Sequence, residues 1–265
     1  MTLRLGLTVV SIAVLAALVG PALVGVDPRS QELALRLAGP TWGHPLGLDE
    51  LGRDVLARLV LGARVSLMVG VSVVCVSSVV GVLVGGIAGY AGGWVDIAIG
   101  RIIDVLMAFP GILLAIALVA ALGPSLGHVV LALTVIGWVG YARLVRAQVL
   151  KARELEYVQG ARSLGASATR ILVRHVLPST YSPVLVQATL GMAGAIVAEA
   201  SLSFLGLGVQ PPTPSWGAML DAGRGHLLDA PHLTIFPGLA IALLVLGFNF
   251  LGDGLRDRLD PRRIK

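Results

Sequence analysis

Charged residues in this chain are gathered into short segments separated by long apolar runs, and run length is the first predictor of structure. Leu5 to Val26 is 22 residues without a charge. At about 1.5 Å of rise per residue, a helix of that length crosses a hydrocarbon layer about 30 Å thick. A signal peptide is the competing reading, because Arg4 precedes the run. The run is longer than an ordinary signal core and no clear small-x-small cleavage site precedes Asp27, which favours a retained first span. Val65 to Val95 forms a second run. Between Asp104 and Arg143 there are 38 residues with no charge, too many for one crossing. Its centre, Gly123-Pro124-Ser125-Leu126-Gly127-His128, is a turn signal, so two spans joined by a tight hairpin are predicted. Val176 to Ala198 supplies the fifth span and Leu233 to Gly252 the sixth. The fold class expected is all-α, a polytopic membrane protein of six transmembrane helices.

The second span carries Gly81, Gly85, Gly89 and Gly93 at steps of four, with Ser77 one step earlier. A small-xxx-small ridge of this kind lets helix backbones approach closely in lipid. It is read as a packing face, not a ligand site, and one chain leaves open whether it packs within this subunit or against a partner.

Basic residues set the orientation, since cytoplasmic segments carry the excess of Lys and Arg. With the N-terminus inside, 14 of the 20 basic residues fall on the cytoplasmic side: Arg4, Arg101, the seven from Arg143 to Arg174 and the five from Arg256 to Lys265. The outer side receives Arg29, Arg36, Arg53, Arg58, Arg64 and Arg224, and Asp27, Glu32, Asp49, Glu50 and Asp54 offset those of the first outer segment. Both termini are placed in the cytoplasm. The division that follows is a first span with its outer segment (1–64), a five-helix core (65–253) holding an inner loop (151–178) and an outer loop (205–232), and a cytoplasmic tail (254–265).

Composition agrees: 56% of the 265 residues are hydrophobic and 13% charged, against about a quarter charged in a soluble domain. The formal charge of +5 follows topology, so nucleic acid is not expected as a partner and the lipid bilayer is. Cys75 is alone and excludes an intrachain disulfide. Lysine occurs at Lys151 and Lys265 alone, neither after a glycine, so there is no Gly-x4-Gly-Lys-Ser/Thr phosphate loop. His44, His128, His175, His226 and His232 have no i, i+4 spacing that would make a metal site. With no Gly-x-Ser-x-Gly elbow or intramembrane protease motif either, no catalytic residue, metal or cofactor is assigned to this chain.

Against this background the inner segment Lys151 to Pro178 (KARELEYVQGARSLGASATRILVRHVLP) stands out as basic, charged and helix-prone. Glu154, Glu156 and Gln159 lie near its start and Arg170 and Arg174 toward its end, matching a helix dipole. Gly160 and Gly165 break the run and provide a turn between two short helices. Ala161, Leu164 and Ala168 recur at steps of three and four, a narrow apolar face suited to a groove on a soluble partner. An interfacial helix resting on anionic lipid is the alternative; the arginines suit it, but the dense small residues and Gly165 do not.

The spacing resembles the coupling loop of ATP-binding-cassette (ABC) import permeases: Glu-Ala-Ala, three residues, Gly, nine residues, Ile-x-Leu-Pro. Gln159-Gly160-Ala161 stand for the triplet, Gly165 falls in place and Leu177-Pro178 close the pattern, while Gln159, Gly160 and His175 depart from it. Further segments resemble the dipeptide, oligopeptide and nickel group of these permeases: His44 to Leu56, Tyr90 to Asp96, Arg101 to Pro110, Gln210 to Gly217 and Asn249 to Pro261. Within the group the chain looks like the "C" permease.

The resemblance implies a type I permease fold in a bacterial inner membrane, half of a heterodimeric pore with a second, non-identical permease. It also implies one or two ABC ATPase subunits that bind ATP and Mg, and an extracytoplasmic substrate-binding protein. Peptides are the expected cargo, with nickel or another small cargo such as heme as the alternative. Glu156, Gln159, Gly160, Ala161, Arg162, Gly165, Leu177 and Pro178 are then the ATPase-coupling residues. Glu199 and Ser203 are candidates for the outer gate or pathway, although Glu199 could equally reach water or cap a neighbouring helix. Asn249 is a further pathway candidate, read also as an interhelical hydrogen bond. Arg101 and Asp104 are expected to pair along their helix. Trp216 and Met219 offer an apolar edge outside, with Trp216 either docking the binding protein or anchoring at the interface. A stand-alone secondary transporter would want inverted repeats and mid-membrane charges, which are not evident; an intramembrane enzyme lacks its motifs.

Overall fold

The computed structural model describes residues 2–259. Apart from a single bridge between Leu48 and Asp54, the regular elements among the described residues are helical. They are α1 (Thr2–Val24), α2 (Val55–Ala91), α3 (Gly93–Ala108), α4 (Gly111–Leu122), α5 (Leu126–Ala152), α6 (Glu156–Ser163), α7 (Ala168–Ile171), α8 (Tyr181–Phe204), α9 (Trp216–Gly223) and α10 (His232–Leu259). Helices α1, α2, α5, α10 and the run Ala168–Phe204 are long and apolar enough to cross a membrane, and α3 with α4 makes a sixth crossing only as a pair bent by 84°.

That bend corrects the expected third span. Pro110 has no backbone N–H and its ring pushes the residue before it out of the helical region. Phe109 is accordingly extended, at φ −90° and ψ 137°. Two more boundaries move. Helix α2 starts at Val55, ten residues before the charge-free run, because the Asp54 carboxylate caps it by accepting from Ala57 N–H at 2.8 Å. Arg58 inside that helix is buried beside Asp49, which also holds Arg53 at 2.6 Å. A division at residue 64 therefore falls inside a helix. The tail boundary at 254 falls inside α10 as well, and residues 260–265 lie outside the described ones.

The most extensive helix pair is α2 with α5, and the small-residue ridge forms the contact. A Cβ placed on Gly81 or Gly85 would overlap Tyr141 or the Ala142 carbonyl of α5, and one on Gly89 would sit 2.8 Å from the Arg146 carbonyl. Gly137 returns the fit, with room beside Ser77 Oγ only for a hydrogen. The ridge thus packs inside the subunit. Gly93 is not part of it: the chain turns at Gly92, and Gly93 opens α3 with φ +53°.

Helix α3 is tethered to α5 by a bidentate pair, Asp96 with Arg146, whose Nη2 donates to Oδ2 at 2.7 Å. The expected Arg101–Asp104 pair does not form; both are exposed and face a cavity of about 660 Å³ with Arg143 and Arg146. The outer segment before α2 is well tied. His44 Nδ1 lies 2.9 Å from Asp54 Oδ2, and His232 Nε2 lies 3.2 Å from the Leu48 carbonyl.

Adding one methyl to the tightest point of the ridge should be felt. Gly85→Ala must push α5 off α2 and is expected to lower stability by about 1–3 kcal/mol. Gly100→Ala, where a Cβ meets nothing within 4 Å, should be neutral or mildly stabilising. Unfolding midpoints of the two variants in detergent check the contrast.

Candidate functional site

The inner loop is a small folded unit standing on the ends of α2 and α5. Val145, Val149 and Ala152 of α5 meet Val158 of α6, Ile171 of α7 and Val176 in a buried apolar cluster. Burying these side chains is what holds two short helices that would not persist alone in water. Its base is fastened where α5 ends: Arg153 Nη1 donates to the Gly89 carbonyl of α2 at 3.1 Å, and Gln159 Nε2 donates to the Arg153 carbonyl at 3.1 Å.

Helix α6 ends in a glycine motif that the sequence specifies. Gly165 N–H donates to the Arg162 carbonyl at 3.0 Å and Ala166 N–H to the Ala161 carbonyl at 3.1 Å. Gly165 takes φ +78°, the left-handed conformation such a terminus requires and that a Cβ disfavours. Ser167 then caps α7 by accepting from Arg170 N–H. Gly160 lies within α6 and does not break it, contrary to expectation.

From Leu172 to Val176 the chain widens into a π turn, followed by a 3-10 turn over Leu177–Thr180. The cause is Pro178, which has no N–H to give and whose ring would press on the carbonyl a turn back. The widened turn frees the His175 carbonyl, which accepts from Tyr157 Oη at 3.1 Å. It is the backbone at 175 that clamps α6, so a histidine there serves as well as an isoleucine.

The outward face differs in detail from the expected one. Ala161 packs inward on the apolar cluster. Leu164 is 89% exposed at the tip, and Tyr157 and Gly160 lie exposed one and two turns before it. Tyr157, Gly160 and Leu164 form the outward stripe, a three-and-four spacing that was present in the sequence and overlooked. Glu156 and Arg162 are exposed beside it, Gln159 and Leu177 are half-buried, and Pro178 is exposed.

On the opposite side of the molecule the candidates are buried. Glu199 is 0% exposed; it accepts from Ser203 Oγ at 2.8 Å and from Ser66 Oγ of α2 at 3.0 Å. Glu199 and Ser203 therefore line no water-filled path in this conformation, and the idea that Glu199 reaches water is corrected. Trp216 is also corrected: it is 3% exposed, its indole Nε1 donates to the Leu59 carbonyl at 2.8 Å, and its ring lies on Gly62. Met219 is buried beside it in the core. No apolar docking edge is present at these two residues.

Asn249 makes no side-chain hydrogen bond among the described residues, so the expected interhelical bond is not formed. It faces an open groove of about 460 Å³ with Ile112, Gly194, Ala198 and Ser201. A second cavity, about 290 Å³, lies between α2, α5 and α8, where Ser77, Tyr141 and Gln187 bring polar groups among small residues.

The profile of the family described as binding-protein-dependent transport system inner membrane component matches residues 81–265. The chain is 45% identical over 257 residues to the dipeptide transport system permease protein DppC of Alkalihalophilus pseudofirmus, covering 97% of this chain and 84% of that protein. It is 50% identical over 224 residues to the glutathione transport system permease protein GsiD of Pectobacterium atrosepticum, covering 84% of this chain and 74% of that one. GsiD of Shigella dysenteriae serotype 1 is 51% identical over the same shares.

The buried indole yields a stability test. Trp216→Phe keeps a ring against Gly62 but removes the donor to Leu59, and should lower stability by about 1 kcal/mol. Trp94→Phe, at a tryptophan that is 80% exposed, should leave the unfolding midpoint in detergent unchanged.

Proposed function

The chain belongs to the family of binding-protein-dependent transport system inner membrane components and is the permease of an ABC importer, and we propose that it carries short peptides. That it is a multi-pass membrane component and not an enzyme follows from the family and from its long apolar helices. The peptide reading is supported by the dipeptide and glutathione permeases that it resembles along most of its length. Nickel or heme remains the alternative cargo.

In the mechanism proposed, the chain pairs with a second, non-identical permease in a bacterial inner membrane. ATP and Mg are handled by separate ATPase subunits, and a substrate-binding protein delivers the peptide from outside. The α6–α7 unit is the coupling site. The observation that carries this assignment is the glycine-terminated helix α6, held rigidly on the ends of α2 and α5 while Tyr157 and Leu164 project outward. A helix resting on lipid would present a broad apolar face rimmed by cations. This one presents two large side chains and a glycine, the form of a knob for a groove on a soluble protein. Arg162, Arg170 and Arg174 are exposed around it and contribute little to affinity individually.

Closure of the ATPases would move this knob, and with it the ends of α5 and α8 between which it is strung. Alternating access then follows as the half-pore formed by this chain tilts against its partner. The cavity at Ser77, Tyr141 and Gln187 and the groove at Asn249 are the places where peptide groups would find hydrogen-bonding partners.

Leu164→Glu and Gly165→Val test the coupling assignment from two directions. The first places a charge on the knob without altering the backbone. The second forces a β-branched residue into the left-handed region, at a cost of about 1–2 kcal/mol or more, although its Cβ would touch nothing within 4 Å. Both should insert normally and retain the second permease, yet retain the ATPase at least about tenfold less, the equivalent of one buried apolar anchor. Pull-down of the ATPase beside a peptide uptake assay decides; normal association and uptake in both variants would return α6 to the membrane surface.

A further inference from the structure

Glu199 sits where three stretches of chain meet. Ser66 belongs to α2, Ser203 lies one turn further along α8, and Ser215, fully buried, is the N-cap of α9 and brings its hydroxyl to the same carboxyl. No ion pair reaches Glu199 among the described residues. Hydroxyls from three elements thus converge on one acceptor, a buried polar cluster whose members depend on one another. The packing around it has no slack. A Cβ on Gly217 of α9 would overlap the Ala200 carbonyl of α8, and one on Gly208 would overlap Ser203. The outer loop is therefore a cap bolted to the outer end of α8.

The inner end of α8 is equally well connected. The chain passes from α7 through the π turn and the 3-10 turn into Tyr181 with no intervening loop. The 24 residues of α8 extend about 36 Å, so one rod joins the inner loop to the outer cap.

We propose that α8 transmits movement of the coupling unit to the outer surface, and that Glu199 is the positioning residue that fastens the α9 cap to this rod. The cap is then the part of this subunit through which a docked binding protein senses, and is sensed by, the ATPases. The inference rests on the placement of the ATPase at α6 and the binding protein outside. Loss of the carboxyl leaves the hydroxyls of Ser66, Ser203 and Ser215 without their acceptor, and the cap is free to shift while the coupling unit below is untouched.

The test uses the assembled importer in proteoliposomes, with ATPase activity measured without and with peptide-loaded binding protein. Glu199→Ala should keep assembly and basal hydrolysis but lose stimulation by about fivefold or more, the equivalent of one hydrogen bond. Glu199→Gln, which retains an acceptor oxygen, should restore most of it. Ser215→Ala cuts the link to α9 alone and should reduce stimulation in the same direction, while Ser215→Thr restores the hydroxyl and should rescue it. If Glu199→Ala fails to assemble, the Ser215 pair decides. Full stimulation in Glu199→Ala or in Ser215→Ala overturns the latch. A wild-type complex that the binding protein does not stimulate overturns the partner assignment beneath it, a different result from a stimulated wild type with equally stimulated variants.

Discussion

The approach of α2 to α5 governs the remainder of the molecule. Between helices in lipid there is little hydrophobic driving force, because the solvent is as apolar as the side chains. Close contact and dispersion must hold them, and both require backbones near one another. Ser77, Gly81, Gly85 and Gly89 provide that proximity, and Gly137 answers from the other side. The interlock fixes more than distance. With each glycine seated against a specified residue of α5, the two helices cannot slide in steps smaller than a turn. The end of α5 is thereby registered against the end of α2, Arg153 finds the Gly89 carbonyl, and Arg146 finds Asp96. Everything on the inner side is built from those two anchor points.

The two aqueous sides are built on opposite plans. Outside, polar and aromatic groups turn inward: an indole on a helix carbonyl, a carboxyl among serines, an aspartate capping the helix it precedes. Inside, a small unit with its own apolar cluster turns two large side chains outward. Rigidity is common to both. The inner unit obtains it from a left-handed glycine and a proline-widened turn, the outer cap from glycines that leave no clearance.

Spans, their order and the inner loop were legible because run length and glycine spacing are local signals. Gly165 was read correctly as a turn, since a left-handed terminus is written in a single residue. Boundaries set by charge failed where a charge is buried: Arg58 lies inside α2 because Asp49 neutralises it, and the two are nine positions apart in a loop of unknown path. The bend at Pro110 was written in the chain, but a run free of charge reads as one crossing whether straight or broken. Pairings across helices were out of reach. Asp96 with Arg146, and Glu199 with Ser66, join residues far apart in sequence, and their register depends on the α2–α5 interlock. Trp216 misled because prolines and polar neighbours mark a loop as external without saying which way its side chains point.

The length of α5 beyond the glycine ridge has an electrical consequence. Arg143 and Arg146, beside Gly85 and Gly89, mark the level of the inner headgroups by the positive-inside pattern. The helix continues from there to Ala152, about 14 Å at helical rise. That exceeds the Debye length of about 8 Å at physiological ionic strength. The negative surface potential of the cytoplasmic leaflet, which falls off over that distance, has largely decayed at the tip of α6. A protein binding there meets bulk electrolyte, and the affinity of the contact is insulated from the lipid composition of the membrane beneath it.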